Sequence, residues 1–136
     1  MSVPAEPTLD PEERRAFERG LAEFNGGYFF ECHDTLEELW RGIRGPSRDF
    51  FQGLIQVAVA FYHLTNGNPA GAESLLGRAL RRFEPYGERY FGFDLAAHRA
   101  ELASWRERIR TGTAGTPDLG ALPKWRFAHE PDSRKL

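Results

Sequence analysis

The stretch FFQGLIQVAVAFYHL, Phe50 to Leu64, decides the fold. Phe50, Leu54, Val57, Phe61 and Leu64 make one apolar stripe at helical spacing, and Phe51, Ile55, Ala58 and Tyr62 make a second. A helix that is apolar on most sides is buried on most sides, so the segment reads as the central helix of an all-α bundle. Its polar side chains are not scattered. Gln52, Gln56 and His63 fall at i, i+4 and i+11, with Val59 at i+7 between them, and therefore share one edge. Buried polar groups need partners, since an unpaired one costs about 1–3 kcal/mol. The nearest candidates lie upstream in ECHDTLEELW.

Working outward, the flanking segments carry their own start and stop signals. Asp10, Pro11 and Glu13 open a first helix as N-cap, first helical position and capping-box partner. Its buried stripe is Phe17, Leu21 and Phe24, and Asn25-Gly26-Gly27 stops it. A second helix runs from about Tyr28 to Ile43, with Phe29, His33, Leu36, Trp40 and Ile43 along one face, Glu37 at its border, and Glu31, Asp34, Glu38 and Arg41 towards solvent. Ser47 is placed to cap the central helix. After it, TNGNP gives Gly67 to end one helix, Asn68 to cap the next and Pro69 to begin it. So short a link predicts an antiparallel hairpin. The fourth helix turns Ala72, Leu75, Leu76, Ala79, Leu80 and Phe83 inward. The loop PYGERYFGF leads to a fifth helix, capped by Asp94 and reaching about Thr111, with Leu95, His98, Leu102, Trp105 and Ile109 inward.

The expected organisation is a single compact domain of about five helices: an N-terminal arm over 1–9, a helical domain over 10–111, and a tail over 112–136. Leu119, Leu122, Trp125 and Phe127 suit that tail to packing across the helices. No strand alternation of useful length is visible.

Composition narrows the function classes. The chain of 136 residues has 40% hydrophobic and 28% charged residues and a formal net charge of −2. That balance suits a globular domain and gives no bulk electrostatic case for nucleic acid. Cys32 is the sole cysteine, which excludes an intramolecular disulfide, and it reads as a buried small hydrophobe. The longest apolar run is too short and too interrupted to span a bilayer. MSVPAEPTLDPEE lacks the basic and apolar regions of a signal peptide, so a cytoplasmic protein is expected. The aromatics of PYGERYFGF and the tail exceed what a small helical core needs, which suggests a protein partner or a homo-oligomer.

His33 and Glu37, four apart on one helix, have the spacing of paired metal ligands. His63 could complete two imidazoles and a carboxylate, a set suited to zinc or non-haem iron. Equally, Glu31, His33, Glu37, Gln52, Gln56, Tyr62 and His63 could form a polar cluster that fixes helix register. A binding or structural module and a metal-dependent or acid–base enzyme thus compete. Arg78, Arg81 and Arg82 have a simple explanation in the helix dipole. With Arg89, Arg106, Arg108 and Arg110 they would make a basic patch for phosphate groups or a partner protein only if they converged.

Two stretches carry a resemblance. FNGGYFFECHDTLEELWR and FFQGLIQVAVAFYHLTNGNPAGAESLLGRAL, agreeing in order and spacing over about residues 20–84, resemble the signature of domain of unknown function family 309. The signature positions are Asn25, Glu31, His33, Glu37, Trp40, Gln52, Gln56, Tyr62, His63 and Asn68, with Cys32 and Asp34 standing where Ala and Glu are common. The resemblance implies an all-helical domain and no particular activity.

Overall fold

A computed structural model describes residues 2–115, 117 and 119–126, except for the side chain of Leu119. Five helices follow one another: α1 Pro11–Asn25, α2 Phe29–Gly42, α3 Arg48–Thr65, α4 Pro69–Phe83 and α5 Leu95–Arg110. Each packs mainly on its neighbour in sequence, α1 on α2, α2 on α3, α3 on α4 and α4 on α5. The strongest of these contacts joins α3 to α4. Eleven of the eighteen residues of α3 are buried, so the apolar segment is the centre of the bundle. The expected fold class is the observed one. Among the described residues no helix is long and apolar enough to cross a membrane.

The helix ends follow local chemistry. At α1, the Glu13 N–H donates to Asp10 Oδ1 (2.7 Å) and the Asp10 N–H donates back to Glu13 Oε1 (2.9 Å). This reciprocal pairing satisfies two otherwise orphaned donors. Asn68 caps α4 by accepting from the Gly71 N–H, and Asp94 caps α5 by accepting from the Ala97 N–H. Ser47 occupies the N-cap position of α3 without making a side-chain cap. A tyrosine does that work: the Phe50 N–H donates to Tyr86 Oη (3.1 Å), whose own hydroxyl donates to Pro46 O (2.6 Å).

The aromatic loop departs from the sequence expectation. Glu84–Tyr86 form a short 3-10 turn, and β1 (Arg89–Tyr90) pairs antiparallel with β2 (Phe93–Asp94). The turn between them has positive φ at both central residues, Phe91 (49°) and Gly92 (84°), as tight hairpins of the mirror-image type require. Phenylalanine rarely adopts this conformation. Its buried ring, 5.2 Å from that of Phe17 and 5.9 Å from that of Phe51, holds it there. Tyr86, Tyr90, Phe91 and Phe93 are all buried, so this loop completes the intramolecular core. The N-terminal arm is tied to the same loop. Tyr90 Oη donates to Ala5 O and the Phe91 N–H donates to Glu6 Oε2, both at 2.7 Å.

The tail crosses the bundle, with Leu122 and Trp125 buried. Phe127 and the Leu119 side chain lie outside the described residues. The buried stripe of α5 is the expected one, His98 included. That of α2 is rotated: Phe29, Cys32, Leu36 and Leu39 are buried, while His33 and Trp40 border them. Both bordering rings are amphipathic and settle at a polar edge, as the Arg48 guanidinium 3.9 Å above Trp40 shows.

Candidate functional site

The rotation of α2 moves His33 to a position where it can face something other than core. Phe29, Phe30 and His33 of α2 meet Val59, Tyr62 and His63 of α3 around a cleft of about 110 Å³. Helical spacing puts each trio on one face, at i, i+1, i+4 and at i, i+3, i+4. The walls are mainly rings. Phe30 lies 5.6 Å from Tyr62 and 5.7 Å from His33, and Tyr62 lies 5.9 Å from His63, all tilted. Phe30 is 50% exposed and Tyr62 37% exposed.

His33 Nδ1 lies 3.5 Å from Asp34 Oδ1, and Nε2 lies 3.7 Å from Glu37 Oε1. Glu37 Oε1 is also 3.7 Å from Arg41 Nη2. One ligand atom each from His33, Asp34 and Glu37 lies within 4.8 Å of the others, the one such group among the described residues. These atoms could hold a divalent cation through an imidazole and carboxylates.

His63 is constrained differently. Asn68 Oδ1 accepts from the Gly71 N–H, which fixes the amide orientation. Asn68 Nδ2 therefore points its N–H at His63 Nδ1, 3.3 Å away. A ring that accepts at Nδ1 carries its proton on Nε2 when neutral, so this bond favours His63 as a hydrogen-bond donor and works against it as a metal ligand.

Glu31, Gln52 and Gln56 do not line this cleft. Glu31 is exposed and Gln52 is half-buried. Gln56 is buried and lines a separate groove with α4 residues. Cys32 is fully buried, and burial reinforced by the nearby Glu23 carboxylate pushes its thiol well up, which makes it inert as a nucleophile.

A further cavity of about 220 Å³ lies where the tail crosses α5, lined by His98, Glu101, Lys124, Trp125 and Arg126 among others. Among the described residues, His98 Nε2 and Trp125 Nε1 are buried there without a hydrogen-bond partner. Burial pushes the His98 imidazole down to about 4, so it is neutral at physiological pH. Sequence periodicity places His98 inward, but nothing local to the sequence pairs α5 with Trp125.

Comparison with known proteins places the cleft in context. The family model "Domain of unknown function (DUF309)" matches residues 17–75. An uncharacterised protein of Bacillus subtilis (strain 168), YpuF, is 41% identical over 63 residues, 45% of this chain and 36% of that protein. An uncharacterised protein of Aquifex aeolicus (strain VF5) is 26% identical over 105 residues, 76% of this chain and 29% of that protein. The chain thus spans about a third of the length of these relatives. The matched segment, less than half of the chain, contains every residue of the α2–α3 cleft.

Proposed function

We propose that the domain is a binding module whose α2–α3 cleft receives an apolar, ring-sized group from a protein partner. The observation that carries this reading is the pair of exposed rings, Phe30 and Tyr62, in contact at 5.6 Å over the cleft. Large apolar side chains left in water beside a concavity mark interaction sites more often than isolated ones do. The cleft volume of about 110 Å³ is of the order that holds a single ring, since a cavity of about 150 Å³ binds benzene. The His63 Nε2–H supplies a polar donor at its edge. A fully sealed register-fixing network fits less well, because His33 retains 26% side-chain exposure and Glu37 38%. We place the protein in the cytoplasm, on the strength of its unpaired, buried Cys32.

Backbone-amide NMR with a panel of aromatic fragments tests this reading. Saturable shifts at Phe30, Val59 and Tyr62, lost in Phe30→Ala, are expected. Shifts scattered over the surface, or fragments bound elsewhere, would overturn it.

A second reading is favoured by the convergence of His33, Asp34 and Glu37: a zinc or iron site supporting metal-dependent or acid–base catalysis. Glu37 with His33 Nε2 would hold the ion, and Asp34 at Nδ1 would orient the imidazole. Elemental analysis of the purified protein separates the two readings. Stoichiometric metal, lost in folded His33→Ala but kept in Phe30→Ala, would favour the second.

A further inference from the structure

The arginines of α4 converge on a second groove. It lies between α3 and α4, has a volume of about 500 Å³, and is lined by Asp49, Gln56, Arg78, Arg81, Arg82 and Pro85. Spacings of i, i+3 and i+4 stack the three arginines on one helix face. Arg82 is held by Asp49, Nη1 to Oδ1 at 2.7 Å. Arg78 and Arg81 have no carboxylate partner among the described residues. Three guanidinium groups against one carboxylate leave the groove at +2, on a chain whose formal net charge is −2. Three other arginines are occupied. Arg106 binds Glu73 (2.7 Å), Arg110 binds Glu107 (3.1 Å) and Arg108 lies over Trp105.

The helix dipole accounts for Arg81 and Arg82 in the last turn of α4 but not for Arg78, which precedes that turn. Nor does it account for Gln56. That side chain is only 7% exposed, it lines the groove, and its Oε1 has no hydrogen-bond partner among the described residues. An orphaned buried carbonyl beside unpaired cations asks for a ligand that is anionic and also donates a hydrogen bond.

We propose that this groove binds a phosphate group that carries a proton or a neighbouring hydroxyl, with Arg78 and Arg81 on its anionic oxygens and Gln56 Oε1 accepting from its O–H. Planar guanidinium groups match phosphate oxygens in charge and geometry. Arg82, restrained by Asp49, closes the end of the groove without neutralising it.

Inorganic phosphate and sulfate are the probes, titrated at neutral pH and low ionic strength with backbone-amide shifts as readout. The two anions have the same tetrahedral shape, but only phosphate keeps an O–H to donate. Saturable shifts around Gln56 and Arg78–Arg82 are expected, with phosphate clearly preferred over sulfate. Arg78→Gln and Arg81→Gln should each weaken phosphate about tenfold. Gln56→Met, similar in volume, should erase the preference over sulfate while leaving residual binding of both. If Gln56→Met does not fold, the two surface arginine variants still decide the matter. A sugar phosphate and vesicles containing phosphatidic acid, run in parallel, separate a soluble source of the group from a lipid headgroup. Equal affinity for sulfate in the parent, binding indifferent to both arginine variants, or no saturable shift at millimolar phosphate would overturn the proposal.

Discussion

The side-chain amide of Asn25 grips the backbone of Trp125 at both of its polar groups. Asn25 Nδ2 donates to Trp125 O (2.9 Å), and the Trp125 N–H donates to Asn25 Oδ1 (2.7 Å). The pairing copies a rung of an antiparallel ladder, with a side chain standing in for one strand. Beside it the indole stacks on Phe24, centroids 3.8 Å apart and planes within 4°. The last two residues of α1 therefore anchor the tail, one by hydrogen bonds and the other by its ring. Asn25 thus does more than stop its helix.

Asn25→Ala removes both bonds and leaves two part-buried backbone groups without partners. The expected cost is about 2–3 kcal/mol, measured by urea unfolding. Amide hydrogen exchange at Trp125 should accelerate more than exchange in α3. Asn25→Asp keeps the acceptor and loses the donor, so it should fall between the parent and Ala. Unchanged exchange at Trp125 in the Ala variant would show that the stack on Phe24 alone holds the tail.

A glycine on α3 supplies a prediction whose sign is unusual. Gly in a helix interior is ordinarily worse than Ala by about 0.5–1 kcal/mol, so Gly53→Ala would stabilise an open site. Here a Cβ would sit 2.6 Å from Phe83 Cε1 and 3.0 Å from Cζ. Phe83 is fully buried, with its ring 5.8 Å from that of Phe50 and 5.9 Å from that of His98. The ring cannot swing away freely, so the substitution should destabilise by about 1–3 kcal/mol. A raised melting temperature would show that α3 and α4 can slide apart at little cost.

Tyr86→Phe isolates the cap on the central helix. The variant keeps the ring among Phe50 and Tyr90, 5.6 and 4.7 Å away, and deletes only the hydroxyl. The Pro46 carbonyl loses its donor, whereas the Phe50 N–H retains Ser47 O at 3.0 Å. A loss of about 1–2 kcal/mol is expected in chemical denaturation. Ser47→Ala should cost less, since Ser47 makes no side-chain cap. The reverse order would return the capping role to the serine.

What the sequence made legible was whatever its own neighbours decide. The stripe Leu95, His98, Leu102, Trp105, Ile109 is buried as its spacing predicts, and Asp10, Asn68 and Asp94 cap the helices they precede. The phase of α2 was not legible, because His33 and Trp40 count as apolar in a pattern yet settle at its polar border. Nor was the direction of Gln56. A helix buried nearly all round has no polar face to fix its rotation, so either neighbour could have received that side chain. It reached the α4 groove, while His33 and His63 met at the α2 cleft. The hairpin around Phe91 and the tail contacts at Asn25 depend on partners tens of residues away, which periodicity cannot see.

Acid should unfold this protein partly through one imidazole. Burial lowers His98 from the ordinary 6.5 to about 4, so the folded state holds the neutral ring while the unfolded chain binds a proton more readily. Stability from this group is complete above the unfolded value and drains away as pH falls towards the folded one. The window therefore lies between about pH 6.5 and pH 4, with a total on the order of 3 kcal/mol. The charged groups around the ring are Asp94, Glu101, Lys124 and Arg126. Glu101 works in the opposite sense. Burial raises its carboxyl despite the opposing Arg126, so its contribution is present at low pH and is lost as pH rises past the raised value. His98→Gln keeps a neutral polar side chain and removes the titration. Urea midpoints measured from pH 7 down to pH 4 should fall more steeply in the parent than in His98→Gln. Parallel curves would mean that the cavity under Trp125 admits enough water to let His98 charge without unfolding.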